Sequence, residues 1–252
     1  IDHQLGPVTA MALDRAVHLA YAPSETSEVR LTSLDFEGEI RFSLEDIPPK
    51  QDGDWGNYAH GAVQALQQRH TLTRGIVGLT AGRLGEGGLS SSAAIGVSYL
   101  LAFEDANGLT LTPQDNIELD RLIENGYLGL RNGILDQSAI LLSRKDCLTL
   151  IDCKEATHSL IPKAESMPPF TILVAFSGLQ QALVFTGYNR RVEECARAAA
   201  ALLETAGRPD HPPFWATSPP KNTPRIGQNS PDLLPAAPNT SSANRNGSAW
   251  AC

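Results

Sequence analysis

The stretch Gly82-Arg83-Leu84-Gly85-Glu86-Gly87-Gly88-Leu89-Ser90-Ser91-Ser92-Ala93-Ala94 constrains the fold of this 252-residue chain more than any other. A buried-strand pattern, Gly75 to Thr80, runs into it, and an apolar helical pattern runs out of it. The chain must therefore hold a strand–loop–helix unit with glycines at the turn. Glycines let the backbone turn tightly and come close to a ligand. The serines open the helix, whose first N–H groups lack intrahelical partners and carry the positive end of the dipole. A loop joined to a helix start in this way is an anion site. The serine hydroxyls can add hydrogen bonds or reach a cation. The string GxxxxGK[ST] is absent, so this is a different kind of phosphate loop. Taken alone, the pattern is equally that of a flexible loop with a serine cap.

Around this unit the periodicity predicts a mixed, α+β arrangement. Val29, Leu31 and Ser33, then Ile40, Phe42 and Leu44, alternate as in half-buried strands. Residues 57–69 read as a helix, and the serine-led helix ends at Asn107-Gly108. Thr112-Pro113-Gln114-Asp115 opens the next helix with a cap, a first-turn proline and a carboxylate three residues on. Leu119, Leu122, Ile123, Gly126 and Leu130 continue it as one stripe. Strands are expected over Cys147–Ile151 and Thr171–Phe176, and an alanine-rich helix over residues 186–206. Beyond Pro209 the chain turns rich in Pro, Ser and Asn, and periodicity stops, which predicts disorder over 209–252. A natural tail has this composition, and so does an out-of-frame or spliced end. The abruptness of the break favours the second.

The net charge of -8 argues against nucleic acid or an anionic membrane surface as partner. No apolar run reaches the length of a membrane span. Cys147, Cys153, Cys195 and Cys252 form no CxxC pair, and no histidine pair has zinc spacing. Reduced thiols in a cytoplasmic protein are the simplest reading. Oligomeric state stays open.

Two carboxylates stand out in the segment 124–137. Glu124 falls late in the helical stripe, and Asp136 falls in or just after a glycine-flanked loop. Phosphoryl transfer needs positioning and charge neutralisation. One carboxylate near the attacking oxygen and one near a metal would serve. Alternatively, Glu124 lies on a solvated helix face, and Asp136 caps a helix through Ala139–Leu142.

Gly87 to Ala94 closely resembles the GLSSSA phosphate motif of the GHMP kinases, and Gly129 to Gln137 resembles the GIMDQ-ending pattern of their galactokinase branch. The resemblance runs from Ile1 to about Ala206. It implies a GHMP-kinase fold, with an ATP-binding N-terminal domain over 1–165, a truncated C-terminal domain over 166–208 and a tail over 209–252. It implies ATP-dependent phosphorylation of a sugar or uronic acid, D-galacturonate foremost, at its anomeric hydroxyl. Galactose, arabinose and glucuronate are alternative acceptors. In this resemblance Gly85, Gly87, Gly88, Leu89, Ser90, Ser91 and Ser92 wrap the ATP phosphates. Ser92 and Glu124 hold Mg2+, and Asp136 is the catalytic base. Residues 1–6 are similar to the tail of the GEHTDYxGG signature, which makes Asp2 a sugar ligand, with His3 in place of tyrosine. The segment 186–195 is similar to YNxRRxEC, which makes Tyr188 a second sugar contact. Arg190 and Arg191 read more simply as partners of Glu193 and Glu194.

The chain begins after the point where the family carries an arginine ahead of GEH, and a proline-rich stretch stands where the family has a third glycine-rich motif. By itself the chain is therefore expected to be weakly active or inactive. A sugar- and ATP-binding sensor without turnover is the non-enzyme alternative.

Overall fold

The computed structural model describes residues 1–82, 89–175, 187–208, 210 and 212, and the backbone of 249–251. Gly85, Gly87 and Gly88 lie outside the described residues, as does nearly all of the 209–252 segment.

Two sheets frame the molecule. The larger has the order β4-β3-β5-β2-β8, built from β2 (His18–Pro23), β3 (Glu28–Ser33), β4 (Glu39–Ser43), β5 (Ile76–Ala81) and β8 (Ala249–Ala251). Among the described strands only β3 and β5 run parallel. Between them in sequence come β4 and the helix α1 (Asn57–Gln67). The smaller antiparallel sheet joins β1 (Pro7–Ala10), β6 (Cys147–Asp152) and β7 (Thr157–Pro162) in the order β1-β6-β7.

Alternation along β3 buries Val29 and Leu31 while Arg30 and Thr32 stay exposed. Leu19, Phe42 and Ile76 join them on the inner face of the large sheet, against Ala59, Ala62, Val63 and Leu66 of α1. The helix α2 (Ser91–Ala106) is apolar on almost every side and lies at the centre of the domain. It packs on α1, on the large sheet through β2 and β5, and on α3 (Pro113–Arg121) and α4 (Leu135–Leu142). Tyr99, Leu100 and Phe103 are fully buried there, each worth about 1.5–3 kcal/mol of apolar burial. The capping box read at Thr112 is present: its hydroxyl accepts from Asp115 N–H, and the Asp115 carboxylate accepts from Thr112 N–H.

Four expectations are corrected. The stripe through Leu130 is not one α-helix, because the backbone widens to a π-helical stretch over Leu122–Tyr127. Residues 171–175 form no strand. The strand that follows β6 and pairs with it is β7, a segment whose mostly exposed side chains give little sequence signal. Glu194 pairs with both Arg190 and Arg191, and Glu193 reaches across to Arg131. In the expected tail, the backbone of 249–251 pairs with β2. The last helix, α5 (Tyr188–Thr205), stands close to its expected bounds. Cys147, Cys153 and Cys195 are free thiols. Among the described residues, no helix is long and apolar enough to cross a membrane.

Candidate active site

Ser90 enters α2 with left-handed backbone, φ 59°, a conformation that costs a non-glycine residue about 1 kcal/mol or more. Its hydroxyl comes close to Asp136. Two residues on, the Ser92 hydroxyl lies close to Glu124 and to Tyr58 of α1. Leu89 packs on Val17 and Ala94, which fixes the approach to the helix. Ser91 begins the helix itself, and its N–H is among those without an intrahelical partner.

Glu124 sits in the π-helical stretch and is fully buried. Burial raises its pKa, while Asn132 and Ser92 offset part of the rise. Oε2 of Glu124 accepts from Nδ2 of Asn132, and Oε1 has no partner among the described residues. A helical turn earlier, Asp120 is also fully buried, with neither carboxylate oxygen bonded among the described residues. Burial, then the charge of Glu124, pushes its carboxyl well above the usual range.

Asp136 does not cap α4. The N-cap position is Ile134, which offers no side-chain bond, and Asp136 lies inside the first turn. The acid at that helix start comes from 133 residues away: Oδ2 of Asp2 accepts from Leu135 N–H at 3.4 Å. A carboxylate there complements the helix dipole. It also frees Asp136 to face Ser90. Burial raises the Asp136 pKa, Ser90 lowers it in part, and the nearby Asp2 charge adds to the rise. Asp136 is thus a better base than an exposed aspartate.

Tyr188 opens α5 on the same side. Its ring meets His3 edge-on at 6.0 Å. Burial raises its hydroxyl pKa to about 12, with contributions from Asp2, Asp136 and Glu124. Asn189, next along, accepts from Arg131 N–H at 2.9 Å and donates to Gly129 C=O at 2.7 Å. Asp2, Ser90, Ser92, Glu124, Asp136 and Tyr188, spread over 187 residues of sequence, are thereby gathered in one region. Sequence reasoning passed over Tyr58, Asp120, Asn132 and Asn189. Asn132 and Asn189 fall inside the motif segments 129–137 and 186–195, but as neutral amides beside the acids and the tyrosine they carried no chemical signal of their own, and Tyr58 and Asp120 stand outside any motif.

The donors at Ser92 and Glu124 suit a magnesium ion, which prefers hard oxygen ligands and keeps several of its waters. The free Oε1 of Glu124 is the observation that supports this fit. Among the described residues no group of three His, Cys, Asp or Glu side chains can hold a metal, so the remaining ligands would come from phosphate and water.

Residues 57–144 match the family described as GHMP kinases N terminal domain. The chain is 51% identical to a galacturonokinase from Arabidopsis thaliana, over 84% of this chain and 55% of that protein. It is 34% identical to a galactokinase from Roseiflexus sp., over 81% and 51%. It therefore spans about half the length of the curated relatives it matches. In fold it is similar to Lactococcus lactis galactokinase complexed with galactose, with TM-score 0.68, 23% identity, and coverage of 81% of this chain and 53% of the other. It is also similar to Methanococcus jannaschii mevalonate kinase, with TM-score 0.54, 18% identity, and coverage of 65% and 52%. By its sequence match, and with a fold that agrees, this chain carries at residues 57–144 the N-terminal domain of the GHMP kinases.

Proposed function

We propose that the protein transfers the γ-phosphoryl group of ATP to the anomeric hydroxyl of a sugar acid, D-galacturonate. The observation that carries this reading is the convergence of Asp136 and Asp2 with the serine-led start of α2. Asp2 and Tyr188 hold the sugar, and Asp136 accepts the proton of its anomeric hydroxyl as the oxygen attacks. The start of α2, with the glycine-rich segment 82–88 before it, holds the ATP phosphates. When bound at Ser92 and Glu124, Mg2+ neutralises charge on those phosphates. The fully buried Glu124 keeps its position without competing water. The reacting groups are brought together by α2, α4 and α5, which lowers the entropic part of the barrier.

The uronate acceptor rests on the 51% identity to a galacturonokinase. Galactose, arabinose and glucuronate are the competing acceptors. The division into an ATP-binding domain over 1–165, a C-terminal segment over 166–208 and a tail belongs to the same proposal. So does a cytoplasmic setting, which the free cysteines support. Magnesium-dependent ADP release with each of the four sugars tests the substrate. A preference for galacturonate supports the reading. Turnover with galactose alone sinks the uronate assignment, and folded protein that binds ATP and sugar without turnover favours the sensor.

A further inference from the structure

We infer that Asn132 positions Glu124 by holding one carboxylate oxygen and leaving the other turned toward the cation. The inference rests on the kinase reading above. Nδ2 of Asn132 donates to Oε2 of Glu124, and Oε1 is buried without a partner among the described residues. The amide of Asn132 is itself held in place. Nδ2 of Asn125 donates to Oδ1 of Asn132 at 3.2 Å and to its C=O at 3.3 Å. Asn125 Nδ2 also reaches Arg121 C=O at 3.1 Å, one turn back along the helix. With Oδ1 engaged by Asn125, the Asn132 amide presents its N–H to the carboxylate.

The loop carrying Asn132 is pinned from two sides over the three residues that precede it. Leu130 N–H donates to the backbone C=O of Glu124 at 2.8 Å. From the other side Asn189 bonds the backbone of Gly129 and Arg131, at 2.7 and 2.9 Å. The first turn of α5, which carries Tyr188, is therefore tied through this loop and Asn132 to Glu124. A buried carboxylate with one unsatisfied oxygen is unfavourable by itself. A cation at Oε1 removes that cost. Groups that orient a metal ligand in this way tune its hold on the metal.

The test uses Mn2+ as the probe, read by electron paramagnetic resonance in the presence of ADP and the absence of sugar. Asn132→Ala is expected to weaken Mn2+ binding about 10–100-fold. Asn132→Asp keeps the shape but sets an acceptor against Glu124, and is expected to weaken it at least as much. The KM for sugar at saturating metal should stay within about twofold. Folding is checked for both variants by the metal-free unfolding midpoint, and either folded variant suffices. A folded variant that binds Mn2+ as tightly as the unsubstituted protein overturns the inference and leaves the kinase reading standing. Absence of Mn2+ binding by the unsubstituted protein with ADP overturns the kinase reading, and this inference with it.

Discussion

The carboxylate of Asp2 lies so close over Gly133 that a Cβ there would come within 2.5 Å of its Oδ2 and 2.7 Å of the Asp2 carbonyl carbon. The glycine of this loop is therefore a steric requirement for the seat of Asp2, the proposed sugar ligand. Gly133→Ala must displace the Asp2 backbone, at about 1–3 kcal/mol of strain. The KM for sugar is expected to rise about tenfold, the equivalent of ~1.4 kcal/mol, with the KM for ATP nearly unchanged. Steady-state kinetics with each substrate varied in turn checks this.

Gly96, one helical turn after Ser92, and Asp120, one turn before Glu124, form a similar lock. A Cβ at 96 would stand 2.2 Å from Oδ1 of Asp120. Gly96→Ala is expected to destabilise the domain by about 1–3 kcal/mol. Asp120→Ala vacates the space, so the double variant should lose less than the sum of the two. A double-mutant cycle by denaturant unfolding should show coupling of at least about 0.5 kcal/mol. Strict additivity would mean that the two residues do not meet.

Glu104 on α2 is buried, and burial raises its pKa from 4.5 to about 7, with Asn116 and the Leu111 backbone offsetting part of the rise. Its folded value lies above the unfolded one, so its protonated form favours folding. The contribution is whole below about pH 4.5 and is lost as pH rises through about 7. The loss is roughly 3 kcal/mol, at ~1.4 kcal/mol per pKa unit. Unfolding free energy measured from pH 4.5 to 8 should fall less steeply in Glu104→Gln than in the parent.

Asp136→Asn keeps shape and removes the proposed base. Turnover should drop about 10²–10⁴-fold, while nucleotide affinity measured by calorimetry stays within a few-fold. Near-normal turnover would remove Asp136 from the mechanism.

Local patterns carried much of this into the sequence. The Thr112 capping box, the bounds of α1 and α2 and the alternation in β3 follow from short-range rules, and the structure has them at those places. The widening at Leu122–Tyr127 was not legible, because a π-helical stretch leaves the apolar stripe intact. Strand β7 was invisible since most of its side chains face solvent. For the candidate site, the motifs pointed to Ser92, Glu124 and Asp136 but not to what surrounds them. Asp2 at the start of α4 and Asn189 on the Gly129–Arg131 backbone are contacts across 133 and 58–60 residues. No local window contains both partners of such a contact, so only the fold shows them.

The most direct test is phosphorus NMR of the protein incubated with ATP, Mg2+ and D-galacturonate, alongside Asp136→Asn. In keeping with the weak activity expected of this chain by itself, the account predicts a slowly growing sugar 1-phosphate resonance coupled to the anomeric proton, matched by ADP, and nearly absent with the variant. Phosphate appearing at any other hydroxyl, or an equal rate in Asp136→Asn, would contradict it.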